Sequence, residues 1–102
     1  MKTYTGARTM DGIRVLVDGK PLDERYDLKR FTRGGFEWTY QGAEPAQLAL
    51  ALLADHLGDD HKATALCDAF MQTVIANLEN DWQLTSSDID AALARIDRAE
   101  AG

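Results

Sequence analysis

Histidine and aspartate side chains near residue 58 are the first candidates for chemistry. Five of them fall within seven positions: Asp55, His56, Asp59, Asp60 and His61. Imidazole and carboxylate groups bind divalent metal ions, but Gly58 breaks the segment, so the histidines lack the spacing of a helical chelate. Because aspartate is also a good helix N-cap, the sequence favours a capped helix junction, and we expect no metal site.

Cys67, the single cysteine of the chain, would be a nucleophile if a histidine activated it. It lies instead on the apolar stripe of a predicted helix, where a free cysteine behaves as a small core residue. No motif brings a nucleophile, a base and a pocket together. We therefore expect a protein without enzymatic activity, with no catalytic residue and no cofactor.

The turn at residues 42–45 joins a predicted strand to a predicted helix and is the candidate anion site. Backbone amides of a glycine-containing turn before a helix can hold an anion. Glu44 stands at the mouth of this turn, where its carboxylate would cap the amides and repel phosphate. The sequence has neither a Walker lysine nor a GxGxxG pattern. Close strand–helix packing is therefore favoured, and a small-ligand or anion site is the alternative.

Residues 25–33 form the basic segment of the chain. Its cations are Arg25, Lys29, Arg30 and Arg33, with Tyr26 and Phe31 between them. Arginine beside aromatic rings is typical of single-stranded nucleic-acid binding and of protein interfaces. Acidic residues within and just before the segment dilute its charge. We therefore favour the interpretation that the segment is a solvent-exposed loop without a partner. A protein-binding loop is the second interpretation, and nucleic-acid binding is an alternative function.

Charge is divided unevenly along the 102 residues, whose net charge is −6. Residues 1–36 hold eight basic and five acidic residues, or +3, and residues 37–102 hold three basic and twelve acidic residues, or −9. Nucleic-acid backbones require clustered positive charge, whereas an acidic half attracts a basic protein surface. We therefore expect a basic protein partner, bound by five carboxylates: Glu44, Asp59, Asp60, Glu79 and Asp81.

The composition predicts an ordinary globular protein. The apolar content is 45% and the charged content 27%, which are usual values, and we expect one domain over residues 1–102. A single cysteine fits a reducing compartment, and the first residues lack the apolar stretch of a signal peptide. The longest apolar run, residues 48–54, is too short to span a bilayer. We expect a cytoplasmic protein with no membrane partner, and a homodimer is left open.

The elements of the first forty residues are predicted to be strands and turns. Segments 2–9 and 13–17 flank Asp11-Gly12, a hairpin signal that requires positive φ at both turn positions. Asp18-Gly19 predicts a second turn, and Pro21 places the next residues at a sheet edge or outside the sheet. An alternating strand is predicted at residues 36–40, with three aromatic rings inward: Phe36, Trp38 and Tyr40.

The remaining residues predict three helices. The first starts near Glu44-Pro45, is apolar almost all round and hence central, and ends before Gly58. The second begins at Asp59 or Asp60, has an apolar stripe to Leu78, and forms an antiparallel hairpin with the first. Residues 82–84 are a short strand or a connector, and a capping box at residues 85–88 starts the third helix.

The fold class predicted by these elements is α+β. We expect a small antiparallel sheet from the N-terminal half, packed against a helical hairpin and a C-terminal helix. Trp38, Tyr40 and Trp82 are aromatic residues of the kind found both in cores and at interfaces. The alternation at residues 36–40 favours a core position for Trp38.

Residues 36–60, FEWTYQGAEPAQLALALLADHLGDD, carry a resemblance to a known family. Together with Tyr4-Thr5-Gly6 and the early Asp-Gly hairpin, they resemble domain-of-unknown-function family 6166 along nearly the whole chain. The family pattern between strand and helix is richer in glycine. Here Thr39 and Glu44 stand where glycine is typical, and Ala43 where serine is typical, so Gly42 is the glycine of that cluster that remains.

The resemblance implies a small bacterial or phage protein, often found on phages and plasmids, and implies no activity. Combined with the acidic half, it favours a protein-interaction module. Such a module would act as an inhibitor or adaptor that blocks the basic groove of a host nucleic-acid machine, and an anti-CRISPR protein is the most specific form of this hypothesis.

Overall fold

The computed structural model describes residues 2–101, and the side chains of residues 2–98. In this part of the chain the strands are β1 (Thr3–Thr9), β2 (Gly12–Val17), β3 (Lys20–Pro21) and β4 (Trp82–Thr85). The helices are α1 (Ala43–Leu57), α2 (Asp60–Thr73) and α3 (Ser86–Ala101), and a 3₁₀ turn (Ile75–Asn77) follows α2. The predicted α+β class is confirmed, and residues 82–84 belong to a strand.

β1 is an inner strand of the antiparallel sheet, whose order is β3-β2-β1-β4. Residues 4–9 of β1 pair with β2, and residues 3–6 pair with β4. β3 pairs with β2 at residues 20 and 21. Since Pro21 has no amide to donate, it fits the end of this edge strand. The residues after Pro21 leave the sheet, which is one of the two predicted outcomes.

The two hairpin turns use their glycines differently. Asp18 and Gly19 have φ angles of 50° and 83°, so both turn positions adopt the geometry that an Asp-Gly pair predicts. In the first hairpin the loop is Met10–Asp11, and Gly12, with a φ of 118°, is already the first residue of β2. The predicted hairpin is confirmed, but its two turn residues are Met10 and Asp11 instead of Asp11 and Gly12. Of the Asp-Gly pair, Gly12 has a positive φ and Asp11 does not.

α1 is the buried helix on which the other elements pack. All residues from Pro45 to Ala54 are buried, as the continuous apolar sequence predicts. The helix begins at Ala43 and places Pro45 in its first turn, where a missing amide costs no hydrogen bond. Gly58 follows with a φ of 63°, the left-handed C-terminal conformation predicted for this glycine.

α2 runs back along α1 because two residues, Gly58 and Asp59, separate them. Asp59 is the N-cap, and its Oδ1 accepts a hydrogen bond from the Lys62 amide at 3.1 Å. α2 ends at Thr73, so the predicted stripe to Leu78 continues beyond the helix into the 3₁₀ turn.

α3 follows β4 directly and starts with the predicted capping box. The Thr85 amide donates to Asp88 Oδ2 at 2.9 Å, and the Asp88 amide donates to Thr85 Oγ1 at 3.2 Å. Ile89, Ala92 and Ile96 are its buried residues within the described side chains. Within residues 2–101, no helix has the length and apolar content needed to cross a membrane.

Residues 36–40 do not form a strand, so that prediction is wrong. Phe36 and Trp38 are buried as expected, but Tyr40 is 43% exposed. Thr39 has a φ of 81°, which interrupts extended geometry. Its amide donates to a carbonyl of the 3₁₀ turn at 3.2 Å, and the Trp38 carbonyl accepts from Arg8 Nη2 at 3.1 Å. Because the backbone has these separate partners, the segment does not join the sheet.

Candidate functional site

The predicted metal candidates at the end of α1 make separate contacts. Asp55 Oδ2 accepts from the Tyr4 hydroxyl at 2.7 Å and from Lys2 Nζ at 3.1 Å. His56 Nε2 lies 2.6 Å from Asp90 Oδ1 on α3. Burial raises the pKa of Tyr4, and the bond to Asp55 raises it further. These contacts fasten α1 to β1 and α3.

The acidic residues that begin α2 are also occupied. Asp59 caps the helix, and Asp60 Oδ2 accepts from Arg25 Nη2 at 3.3 Å. Arg25 binds Asp27 through Nε and Nη2, both at 3.1 Å. The hydrogen bond from Arg25 lowers the pKa of the Asp27 carboxyl. Among the residues described, no three His, Cys, Asp or Glu side chains are grouped to hold a metal ion.

Cys67 is a core residue of α2. It is buried, and its Sγ donates to the Thr64 carbonyl at 3.3 Å. Burial raises the pKa of its thiol. Since the thiolate is the nucleophilic form, this environment disfavours the reactive state of Cys67.

The basic segment forms an ordered loop whose cations are engaged within it. Lys29 Nζ lies over the Phe31 ring, and the Arg30 guanidinium lies over the Tyr26 ring, each at 4.8 Å from the ring centroid. A base that stacked on one of these faces would have to displace a cation. Arg25 is bonded to two carboxylates. Arg33 is exposed, and of the four predicted cations it is the one for which the structure gives neither a ring nor a carboxylate partner.

Gln47 holds this loop and was not identified as important from its sequence context. It is completely buried. Its Nε2 donates to the carbonyls of Glu24 and Lys29 at 2.7 and 3.0 Å, and its Oε1 accepts from the Phe31 amide at 2.8 Å. A polar residue inside an otherwise apolar helix sequence is the signal that could have revealed it, because buried amides need partners.

The Glu44 side chain at the turn of residues 42–45 is bonded to two hydroxyl groups, whereas the sequence predicted that it would cap the amides of the turn. Glu44 accepts from Thr32 Oγ1 at 2.6 Å and from the Tyr40 hydroxyl at 2.9 Å. These two bonds lower the pKa of Glu44. Partial burial raises the pKa of Tyr40 to about 12, with Glu44 adding to the shift. A negative charge therefore occupies the mouth of the turn, which disfavours an anion there.

The departures from the family pattern have structural consequences in this turn. Thr39, at a position where glycine is typical, has a φ of 81°, which is costly for a β-branched residue. At Gly42, a Cβ would lie 2.8 Å from the Tyr40 ring. At Gly6, in the Tyr-x-Gly motif, a Cβ would lie 2.3 Å from the Trp82 indole. Gly6 therefore leaves the space that Trp82 fills.

Arg8 joins three segments next to this turn and was also missed. Its Nη2 donates to Glu37 Oε1 at 2.6 Å, its Nη1 donates to Asn80 Oδ1, and its guanidinium lies 4.8 Å from the Trp38 ring centroid. The Trp38 indole donates to the Asn80 carbonyl at 3.2 Å and packs edge-on against Trp82. Arg8 thus holds residues 37–39 against residues 80–82.

These contacts define two ends of the α1–α2 hairpin. The Tyr40 end consists of Glu37, Tyr40, Glu44, Glu79 and Asp81. The Arg25 end consists of Arg25, Asp27, Asp59 and Asp60. Because α1 has 15 residues and rises 1.5 Å per residue, the ends lie roughly 20 Å apart. The structure therefore divides the five carboxylates predicted to form one acidic surface between two separate ends.

The Tyr40 end retains exposed negative charge. Of its four carboxylates, Glu37 is paired with Arg8. Glu44 is bonded to neutral hydroxyl groups, and Glu79 and Asp81 are exposed and belong to no ion pair found among the described residues. An exposed tyrosine amid unneutralised carboxylates can bind an apolar and basic protein surface.

A comparison with protein families identifies a family that matches most of the chain. A family model described as "Family of unknown function (DUF6166)" matches residues 4–95. Neither a curated protein nor a solved structure matches the chain.

Proposed function

The chain belongs to the family of unknown function DUF6166, and from its own surface we propose that it is a non-enzymatic protein-interaction module that binds a basic partner through the Tyr40 end. The observation that carries the proposal is the exposed Tyr40 ring. Its hydroxyl is bonded to Glu44, and Arg8 joins Glu37 of the same segment to Asn80, which exposed Glu79 and Asp81 flank in the chain. Tyrosine is enriched in the energetic centres of interfaces, and the surrounding charge would speed encounter with a basic surface.

Hydrogen bonds also hold part of the Tyr40 end in place before any partner binds. The Tyr40 hydroxyl is bonded to Glu44, and Arg8 ties Glu37 to Asn80, the residue between Glu79 and Asp81. Side chains held before binding lose less conformational entropy when a partner docks. The Arg25 end offers less, because its carboxylates already bind Arg25 or cap α2.

The most specific form of the proposal is an inhibitor or adaptor that covers the basic groove of a nucleic-acid machine, as an anti-CRISPR protein would. A nucleic-acid groove is lined with lysine and arginine, which is the chemistry that the Tyr40 end complements. Direct nucleic-acid binding by residues 25–33 is less favoured, since three of the four cations there have partners inside the loop.

The test is affinity capture of the tagged protein from a bacterial lysate, with and without nuclease, followed by mass spectrometry. The double variant Glu79→Lys/Asp81→Lys should remove a stoichiometric, nuclease-resistant partner, because it reverses the charge at the Tyr40 end. The matched control Asp68→Lys/Asp97→Lys makes the same charge change at exposed positions of α2 and α3 and should retain the partner.

Tyr40→Ala provides a second arm that leaves the net charge unchanged. It should weaken capture, while circular dichroism shows a folded protein. Equal loss in the control and test variants would mean that net charge, and not the Tyr40 end, attracts the partner. Capture that survives every Tyr40-end variant would contradict the proposal.

A further inference from the structure

A groove of about 510 Å³ runs along the open edge of β2. Its apolar lining includes Ile13, Val15, Leu22 and Phe36, and Pro21 lies at one side. A volume of this size is within the range of ligand-binding clefts. β3 covers only residues 16 and 17 of this edge of β2. The groove lies along the same edge, beyond the end of β3.

The backbone of Ile13 is an unpaired part of that edge. β3 pairs with residues 16 and 17 of β2, and the Leu22 amide donates to the Val15 carbonyl at 3.1 Å. Alternate residues of an antiparallel strand direct their N–H and C=O groups to the same side. Ile13, two residues before Val15, therefore directs its N–H and C=O toward the same edge, where neither β3 nor Leu22 reaches it.

The charges around the groove favour a basic occupant. Asp11 and Glu24 line it, and neither takes part in an ion pair found among the described residues. Arg14 also borders the groove, but side-chain alternation places it on the opposite face of the sheet from Ile13 and Val15. Two carboxylates without a cation partner are therefore part of the lining of this groove.

The groove also adjoins the Tyr40 end. Arg8, opposite Ile13 in the sheet, binds Glu37 and Asn80, and Phe36 precedes Glu37 in the chain. Met10 and Ile13, at the tip of the first hairpin, are exposed, as is Tyr40. Exposed apolar side chains are thus present both at the hairpin tip and at Tyr40, in segments that Arg8 links.

We propose that this groove binds a short extended segment of a protein partner by strand addition to β2. One residue of the segment exchanges both backbone hydrogen bonds with Ile13 and places an apolar side chain over Phe36 and Leu22. Basic residues on either side meet Asp11 and Glu24. The inference rests on the proposed function in that it describes how the same kind of basic partner would attach, but it concerns different residues.

The test uses a fluorescein-labelled hexapeptide of alternating lysine and valine, with an alternating glutamate and valine peptide as control. Fluorescence polarisation at low salt should show binding of the lysine peptide, and roughly fivefold weaker binding by Asp11→Asn/Glu24→Gln, as expected for two partly exposed charge pairs. The control variant Asp68→Asn, on α2, should bind like the original protein.

Amide hydrogen exchange of Ile13 provides the readout that distinguishes strand addition from general attraction of charge. Exchange at Ile13 should slow when the lysine peptide binds, because its N–H becomes a donor to the peptide. No binding, equal binding of both peptides, or binding without protection of Ile13 would each overturn the inference.

Two further outcomes separate this inference from its alternatives. Protection of Ile13 that depends on protein concentration without peptide would identify a second copy as the occupant and overturn the proposed partner. If the peptide results hold while Tyr40-end variants still capture their partner, the strand site stands and the proposed function fails.

Discussion

At the Arg25 end, the acidic side chains are used within the molecule. Asp27 and Asp60 bind Arg25, and Asp59 caps α2. At the Tyr40 end, Arg8 binds one carboxylate, whereas Glu79 and Asp81 face solvent. A surplus of acidic residues in a sequence therefore does not locate a binding surface. The carboxylates that remain available to a partner protein are those that no arginine of the same molecule binds in the folded structure.

The largest effect is expected at Gln47, which supports the loop that carries Arg25. Gln47→Leu should lower the free energy of unfolding by about 3 kcal/mol, because it leaves two carbonyls and one amide without their buried partner. Urea denaturation measures the change. Gln83→Leu, on the exposed side of β4, should have little effect. An equal loss there would show that the cost of Gln47→Leu does not come from its buried hydrogen bonds.

The two arginines give a direct comparison of the ends. Arg8→Ala should cost about 2 kcal/mol of unfolding free energy, because a charge-assisted set of bonds to Glu37, Asn80 and the Trp38 carbonyl is lost. Arg25→Ala should cost less than about 1 kcal/mol, since its partners Asp27 and Asp60 are 64% and 55% exposed. Equal costs in thermal or urea denaturation would contradict the difference in how the ends are held.

A smaller effect of opposite sign is expected at Thr39. Each end has a non-glycine residue with positive φ in or beside it: Thr39, next to Tyr40, at 81°, and Arg25 at 57°. Glycine has no Cβ to strain this conformation, so Thr39→Gly should relieve strain. The net stabilisation should be below about 1 kcal/mol, because the Thr39 hydroxyl also loses its bonds with the Trp38 carbonyl and Arg8 Nη2. Arg25→Gly should not, because it also removes the bonds to Asp27 and Asp60. A drop in melting temperature for Thr39→Gly would show that the Tyr40 end carries no such strain.

The smallest effect is expected for the pKa values of two carboxyl groups when salt is added. The pKa values of Glu44 and Asp27 are both lowered, below their ordinary 4.5 and 3.8. Each group thus adds stability above its unfolded pKa, which is lost as pH falls through its folded pKa. The bond from Arg25 lowers the pKa of Asp27, whereas neutral hydroxyls lower that of Glu44. In carbon-detected NMR titrations, about 0.5 M salt should raise the pKa of Asp27 and leave that of Glu44 nearly unchanged.

A rise of both pKa values by the same amount would contradict this assignment. Thr32→Val gives the matching control, since it removes one hydroxyl donor to Glu44 and should raise the pKa of Glu44 without altering that of Asp27. Tyr40→Phe should do the same through the second hydroxyl.

Local patterns predicted most of the fold. The Asp-Gly turns, the apolar run of α1, the left-handed Gly58 and the capping box of α3 each depend on residues close in sequence. The prediction failed at residues 36–40, where alternation is genuine but the backbone partners are distant. Arg8 and the 3₁₀ turn at residues 75–77 bind that segment, and no local pattern reveals them.

The candidate site was less predictable for the same reason. The sequence identified Glu79 and Asp81 as acidic, but it could not show that Asp60 meets Arg25, which lies 35 positions away. Gln47 and Arg8 act through partners spread over many segments. Their importance comes from geometry, whereas residue type alone places them among ordinary polar side chains.

The pairing of β1 with β4 sets the order in which the molecule can assemble during synthesis. β1 is made first, yet its second neighbour arrives with residues 82–85, and the Lys2 amide bonds to Ser86 Oγ, 84 positions away. Until then, the Gly6 surface that Trp82 covers is bare. Residues 82–86 must therefore leave the ribosome before the sheet can close, so closure of the sheet is a late step in the folding of this domain.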